Sequence, residues 1–198
     1  MMETHPLEPF FPSGAKILMC GTFPPSKKRW SMDFYYPNFI NDMWRIFGLV
    51  YFNDKDHFVD AAHKTFHLAE LKSFLISKGI ALSDTGREIV REKGNAADKH
   101  LSIKSHIDLK SVLVELPECR DVATTGEKAA SVVAAITGTT IPPTGQYVEC
   151  ELLLSDGSTR SFRHWRMPSS SRAYPLSIDK KAEMYSRLLL SDSAVSPN

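Results

Sequence analysis

Cysteine is scarce in this chain. Cys20, Cys119 and Cys150 are the only three in 198 residues, and they are odd in number and far apart. That spacing excludes a disulfide framework, a structural zinc and a four-thiolate iron–sulfur cluster, so they read as reduced thiols of a cytoplasmic protein. Net charge is almost absent too, at +1 with an isoelectric point near 7.8. No global field drives the protein onto a polyanion, and any nucleic-acid site must be a local patch. Long apolar runs are missing, and the opening "MMETHPLEPFFPSG" lacks a basic stretch followed by an apolar one. Neither export nor a membrane partner is expected. There is no internal repeat and no low-complexity block.

What is present fits one core. With 42% hydrophobic and 24% charged residues, 198 residues make a single domain (1–198), with an N-terminal arm (1–13) and a frayed tail (191–198). "AKILMCGTF" reads as a buried strand ending in a glycine turn, and "NDMWRIFG" as an amphipathic helix stopped by Gly48. Residues 56–78 repeat the helical spacing through Phe58, Ala62, Phe66, Ala69 and Phe74, and "GIALSD" follows as a second strand. "LKSVLVELPE" reads as a helix, "DVATTG" as a strand, and "EKAASVVAAITG" as a helix opening after Gly126. Alternating strands and helices predict a three-layer α/β/α fold with a mainly parallel central sheet. "QYVECELLLSDGSTRSFRHWRMPSS" then carries the two arms of a β-hairpin around Ser-Asp-Gly. "SIDKKAEMYSRLLL" closes the chain as a helix capped by Ser177, with Asp179 in its first turn.

Open α/β sheets place ligands at the C-terminal ends of their strands, so "GTFPPS", "ALSDTGRE" and "MPSSSRAY" belong together. Around them stand a GxxP turn (Gly21 to Pro24), three consecutive aromatics (Phe34, Tyr35, Tyr36), Asn41, and a helix bearing Trp44 and Arg45. In this order the chain resembles the uracil-DNA glycosylase superfamily, closest to its mismatch-specific and hypoxanthine-DNA glycosylase branches. "GIALSD", "TTGEKAASVV" and "MPSSSRAY" resemble the branch's second strand, Gly-Lys helix and closing Pro-Ser loop. The resemblance spans about residues 14 to 190.

It implies a monofunctional DNA glycosylase of base-excision repair. Such an enzyme hydrolyses the N-glycosidic bond of a deaminated base, uracil or hypoxanthine, with no metal or organic cofactor. The partner is DNA holding a damaged or mismatched base, and the protein is a monomer. The chemistry asks for a pocket that stacks an extruded base, a positioned water, and donors to the departing base. Asn41 and Asp84 are the catalytic candidates. Asn41 either orients water or simply caps its helix. Asp84 either accepts a hydrogen bond from a ring N–H, activates water, or only makes a turn. Gly21, Thr22 and Phe23 are placed at the base through backbone N–H groups, with Phe34 or Tyr35 stacking on it. Lys27, Lys28 and Arg29 are expected at DNA phosphates with Ser169, Ser170, Ser171 and Arg172, and Arg87, Arg91, Arg163 and Arg166 on the same rim. The serines also fit an ordinary turn.

The chain departs from the superfamily in three places. Phe23 stands where many members have Asp or Asn, Met167 replaces the histidine that opens the last loop, and Arg172 and Tyr174 replace a Pro-Ala-Asn run. A catalytically weakened or inactive DNA-binding protein of the same fold is therefore the alternative, and a hydrolase of free nucleosides a third class. His63 and His67 read as a surface pair on one helix rather than metal ligands. "TTGEKAA" lacks the first glycine and the Ser/Thr of a phosphate-binding loop.

Overall fold

The computed structural model describes residues 2–91 and 101–191. In chain order the elements are β1 (Met2–Thr4), β2 (Ile17–Cys20), α1 (Met43–Phe52), β3 (Val59–Asp60), β4 (Thr65–Phe66), α2 (Leu68–Lys78), β5 (Ile80–Leu82) and β6 (Gly86–Arg91). There follow β7 (Leu101–His106), α3 (Leu109–Glu115), β8 (Asp121–Thr125), α4 (Glu127–Thr137), β9 (Gln146–Leu153), β10 (Thr159–Met167) and α5 (Ile178–Leu189). The tail expected from residue 191 onward lies, beyond Ser191, outside the described residues.

The centre is a five-stranded sheet ordered β5-β2-β8-β10-β9. Its first four strands are mutually parallel, and β9 returns antiparallel to β10 as the expected hairpin. Every residue of β2 is buried, as a strand covered on both faces must be. Successive side chains sort to opposite faces. Ile17 and Met19 join the apolar cluster of α1, α2 and α5, while Leu18 and Cys20 join that of α3 and α4. Helices therefore cover both faces of the mixed α/β sheet. α5 begins as the sequence suggests, with the Ser177 side chain accepting from the Lys180 N–H.

Two expectations need correction. Helix α1 does not stop at Gly48 but continues to Phe52, where Asn53 closes it in the left-handed conformation (φ 53°). Gly48 is there for another reason, since a Cβ would lie 2.2 Å from the Asp54 carbonyl. Second, residues 56–78 are not one helix. Asp60 Oδ1 accepts from the His63 N–H at 3.1 Å, Lys64 adopts φ 51°, and the chain folds back as the β3–β4 pair before α2 begins at Leu68. A hairpin turns Phe58 and Phe66 into the core just as a helix would have done, which is why periodicity misled. His63 and His67 consequently share no helix: His63 sits in the turn, and His67 stands at the position before α2 without a side-chain capping bond. The N-terminal arm docks on the domain. β1 pairs with β6, which pairs with β7, forming a separate antiparallel sheet. Phe10 adds a bridge to Leu82 at the edge of the main sheet.

Candidate functional site

Because β2, β5, β8 and β10 run parallel, their C-terminal ends meet at one edge. β5 lies on one side of β2 and β8 on the other, with covering helices on opposite faces, so the loops after them diverge and leave a crevice. A cavity of about 420 Å³ opens there, within the ~300–1,000 Å³ typical of small-molecule sites. Its wall combines the turn after β2, Asp84 after β5, Thr125 at the end of β8, and Ser169 to Ala173 after β10, with Tyr36, Ile40 and Asn41 across from them.

Asp84 is buried and held through both oxygens. Oδ1 accepts from the Gly21 N–H at 3.1 Å, and Oδ2 lies 2.9 Å from His5 Nε2. Gly21 is glycine by necessity, since a Cβ would fall 2.7 Å from Asp84 Oδ1. The Thr85 N–H donates to the Gly21 carbonyl and the Gly86 N–H to that of Thr22, each at 2.8 Å, extending the pairing between the two loops. With the Gly21 N–H committed to Asp84 and none on Pro24 or Pro25, this turn is a poorer donor to a base than its sequence suggests. Cys20, just below, is no nucleophile, because burial first and the Asp84 charge second push its thiol pKa up.

The aromatics divide differently from expectation. Phe34 and Tyr35 lie in the core, 5% and 2% exposed, and neither lines the cavity. Phe34 packs between Phe10 and Trp44, and the Tyr35 hydroxyl donates to the Glu8 carbonyl at 3.1 Å. Tyr36 is the aromatic that reaches the site. Its left-handed backbone (φ 50°) breaks the local alternation, its ring meets Trp44 edge-on, and its hydroxyl lies 3.3 Å from Thr125 Oγ1. Burial, reinforced by Asp84, raises its pKa, so it stays a neutral phenol able to donate.

Asn41 lines the cavity and also caps. Its Oδ1 accepts from the Met43 N–H at 2.9 Å. Only an oxygen can meet that N–H, which fixes the amide orientation and leaves the Nδ2 hydrogens for other acceptors. Arg45 Nη1 braces the same segment by donating to the Phe39 and Asn41 carbonyls at 2.7 and 3.2 Å.

The Ser169 to Arg172 loop is clipped from behind. The Asp42 N–H donates to the Ser170 carbonyl (2.9 Å), Lys181 Nζ to the Ser171 carbonyl (2.8 Å), and the Tyr185 hydroxyl to the Pro168 carbonyl (2.8 Å). Lys181 Nζ also donates to Asp42 Oδ2 at 3.0 Å, and Arg172 reaches Asp42 Oδ1 at 3.3 Å. Ser169 Oγ and Ser171 Oγ accept from the N–H groups of Ser171 and Ala173, so these hydroxyls do build a turn.

Gly21, Thr22, Phe23, Arg29, Asn41, Asp84 and the Ser169 to Arg172 loop thus converge on one cavity. The wider basic rim does not form as expected. Lys27 pairs with Asp33 at 2.6 Å, Lys28 is exposed and does not line the cavity, and Arg91 turns back to Glu3. Arg163 holds Asp121 at 2.7 Å at the opposite end of the sheet, because parallel register sets it beside the first residue of β8. Arg166 pairs with Glu127. Met167 is fully buried in the core beneath the loop. Sequence reasoning missed His5, Thr125 and Ile40 and favoured the wrong tyrosine; only an alternation-breaking φ distinguishes Tyr36, and no sequence signal reveals that.

Among the described residues, no group of three or more His, Cys, Asp or Glu side chains is arranged to hold a metal ion. Likewise no helix among them is long and apolar enough to cross a membrane. No family model matches the chain, and no curated protein sequence does. The fold does match the solution NMR structure of a candidate uracil DNA glycosylase from Methanosarcina acetivorans, with TM-score 0.63 and 20% identity, over 96% of this chain and 99% of that one. At that identity the likeness is one of fold.

Proposed function

We propose that the protein is a DNA glycosylase of the uracil-DNA glycosylase kind, hydrolysing the N-glycosidic bond of a deaminated base, uracil or hypoxanthine, flipped out of DNA. The observation that carries this reading is that the cavity at the sheet's C-terminal edge gathers the Gly21 turn, Asn41, Asp84 and the serine loop. Those are the segments that the superfamily resemblance singles out, on a fold shared with the archaeal protein.

An extruded base enters against Phe23 and Tyr36 and is held by polar groups of the cavity. The Asn41 amide donates to a base carbonyl or to the oxygen of the attacking water. The Asp84 carboxylate accepts from a ring N–H or from that water. As the bond breaks, negative charge grows on the base, and fixed donors such as the Asn41 amide and the Tyr36 hydroxyl stabilise it without reorganisation. Arg29 and Arg172 at the mouth supply the local positive charge that a nearly neutral chain needs for DNA.

The test is incubation with oligonucleotides holding uracil, hypoxanthine, xanthine or a G·T mismatch, followed by alkali. Strand cleavage at the modified position is expected for at least one. No cleavage of any above a blank overturns the enzyme reading. Salt-dependent DNA binding in that event supports the DNA-binding alternative, which the full burial of Met167 favours by removing the last loop's first side chain from the site.

A further inference from the structure

We infer that His5, brought from the N-terminal segment, is a positioning residue for Asp84. It orients the carboxylate so that its remaining lone pairs face the cavity, restricting the site to ligands that offer a hydrogen-bond donor there.

The His5 side chain is completely buried, and its Nε2 sits 2.9 Å from Asp84 Oδ2. Its other nitrogen, Nδ1, lies 3.2 Å from the Leu7 N–H nitrogen and 3.0 Å from the Leu7 carbonyl. A neutral ring accepts the Leu7 N–H at Nδ1 and donates from Nε2. A protonated ring donates to the Leu7 carbonyl and still donates from Nε2. Asp84 thus receives a hydrogen bond in both forms, and the nearby Leu7 backbone serves each of them.

The ring is fixed sideways as well. Phe23 meets it edge-on at 5.1 Å and Tyr35 stacks at 6.1 Å, while the backbone N–H of His5 donates to the Arg87 carbonyl at 2.8 Å and anchors the residue. With the Gly21 N–H on the other oxygen, the carboxylate cannot rotate without breaking a buried hydrogen bond. A carboxylate seated between two donors has only acceptor lone pairs to offer.

Joined to the proposed function, on which this step rests, the arrangement selects a base with a protonated ring nitrogen. Uracil and hypoxanthine have one. Cytosine and adenine present an acceptor at the same place, which would leave two buried acceptors facing each other.

The first experiment needs no activity. Long-range ¹H–¹⁵N spectra of the wild-type protein should show His5 Nε2 as a protonated nitrogen from pH 5 to 8, with its resonance displaced in Asp84→Ala. An unprotonated Nε2, or a resonance indifferent to Asp84→Ala, overturns the inference whether or not the protein is a glycosylase. The second compares single-turnover cleavage of uracil against cytosine, and of hypoxanthine against adenine. His5→Gln, which keeps a donor at similar reach, should hold discrimination within about threefold of wild type, whereas His5→Leu should narrow it by about tenfold or more. Equal discrimination in both variants refutes the positioning role. If His5→Leu does not fold, a loss of discrimination by folded His5→Gln does so instead. Absence of any cleavage by wild type defeats the functional reading but leaves the spectra to decide on His5.

Discussion

Lys181→Met removes the ammonium group that fastens the serine loop and keeps the side chain's length. Lys181 is fully buried on α5, and its Nζ serves two acceptors, Asp42 Oδ2 at 3.0 Å and the Ser171 carbonyl at 2.8 Å. The variant leaves Asp42, 5% exposed, with the more exposed Arg172 guanidinium at 3.3 Å as its remaining ion pair among the described residues. Breaking a buried ion pair from one side costs roughly 3–5 kcal/mol, and the surviving Arg172 contact sets the expectation at the low end, about 3 kcal/mol. For a chain of this size that lowers Tm by roughly 6–12 °C. Urea and thermal unfolding measure it, and hydrogen exchange at residues 169–173 should quicken as the loop loses its donor. The double variant Asp42→Asn, Lys181→Met carries no stranded charge, so it should be more stable than Lys181→Met alone. A single-variant loss below about 1 kcal/mol, or a double variant less stable than the single, would refute the claim that this pair holds the cavity wall.

Asn41→Ala should lose about 1 kcal/mol of stability with its cap to Met43, and under the proposed function single-turnover cleavage should fall about a hundredfold with DNA affinity retained; unchanged cleavage removes Asn41 from the chemistry. Gly48→Ala should cost roughly 1–3 kcal/mol because its Cβ meets the Asp54 carbonyl at 2.2 Å, and an unaltered urea midpoint would contradict that packing. His164 is buried on β10 with its pKa lowered by desolvation from 6.5 to about 4. As pH falls through that window the unfolded chain takes up the proton first, so stability present above pH 6.5 declines by up to about 3 kcal/mol toward pH 4. His164→Gln should flatten this part of the pH profile of urea unfolding, and a superimposable profile would show that His164 does not titrate there.

Three strands of the main sheet were legible because they are short, buried on both faces and closed by a turn or a helix start: Ile17 to Cys20, Ile80 to Leu82, Asp121 to Thr125. The hairpin of β9 and β10 announced itself through Ser155-Asp156-Gly157. What escaped was structure whose pattern is ambiguous or mostly polar. Phe58 and Phe66 satisfy a helix and a hairpin equally, and the choice rests on Asp60 trapping a turn. The seating of β1 beside β6 is fixed by pairing partners some 85 residues apart, Met2 with Val90 and Glu3 with Ile89, and no local window contains both. The site was legible as a set of loops but not as contacts. Asn41, Asp84 and the serines were found by position, whereas the choice of Tyr36 over Tyr35 and the arrival of His5 behind Asp84 depend on backbone geometry that composition does not encode.

Under the proposed function, that geometry bears on which base the cavity would suit. The helix cap commits the Asn41 oxygen to Met43, so the amide presents donors to the cavity, while Asp84, already holding Gly21 and His5, presents acceptors. Under the proposed function, a donor on one side of the cavity and an acceptor on the other suit a ligand carrying both a carbonyl and a ring N–H, as uracil and hypoxanthine do. Cytosine and adenine reverse the ring-nitrogen character, so the Asp84 contact fails for both. They carry an amine where uracil (C4) and hypoxanthine (C6) carry a carbonyl, so the Asn41 contact fails as well wherever it is made to that position. Each unsatisfied buried group costs about 1–3 kcal/mol. Thymine and guanine carry lactam edges as well, and hydrogen bonding cannot exclude them. Their rejection must come from the larger groups meeting Phe23 and Tyr36, or from the duplex, where a correctly paired base costs more to extrude than a mismatched one. The two sources separate experimentally. Thymine opposite guanine and thymine opposite adenine present the same base to the cavity and differ in pairing, so a preference for the mismatch assigns the selection to extrusion, and equal rejection of both assigns it to the cavity walls.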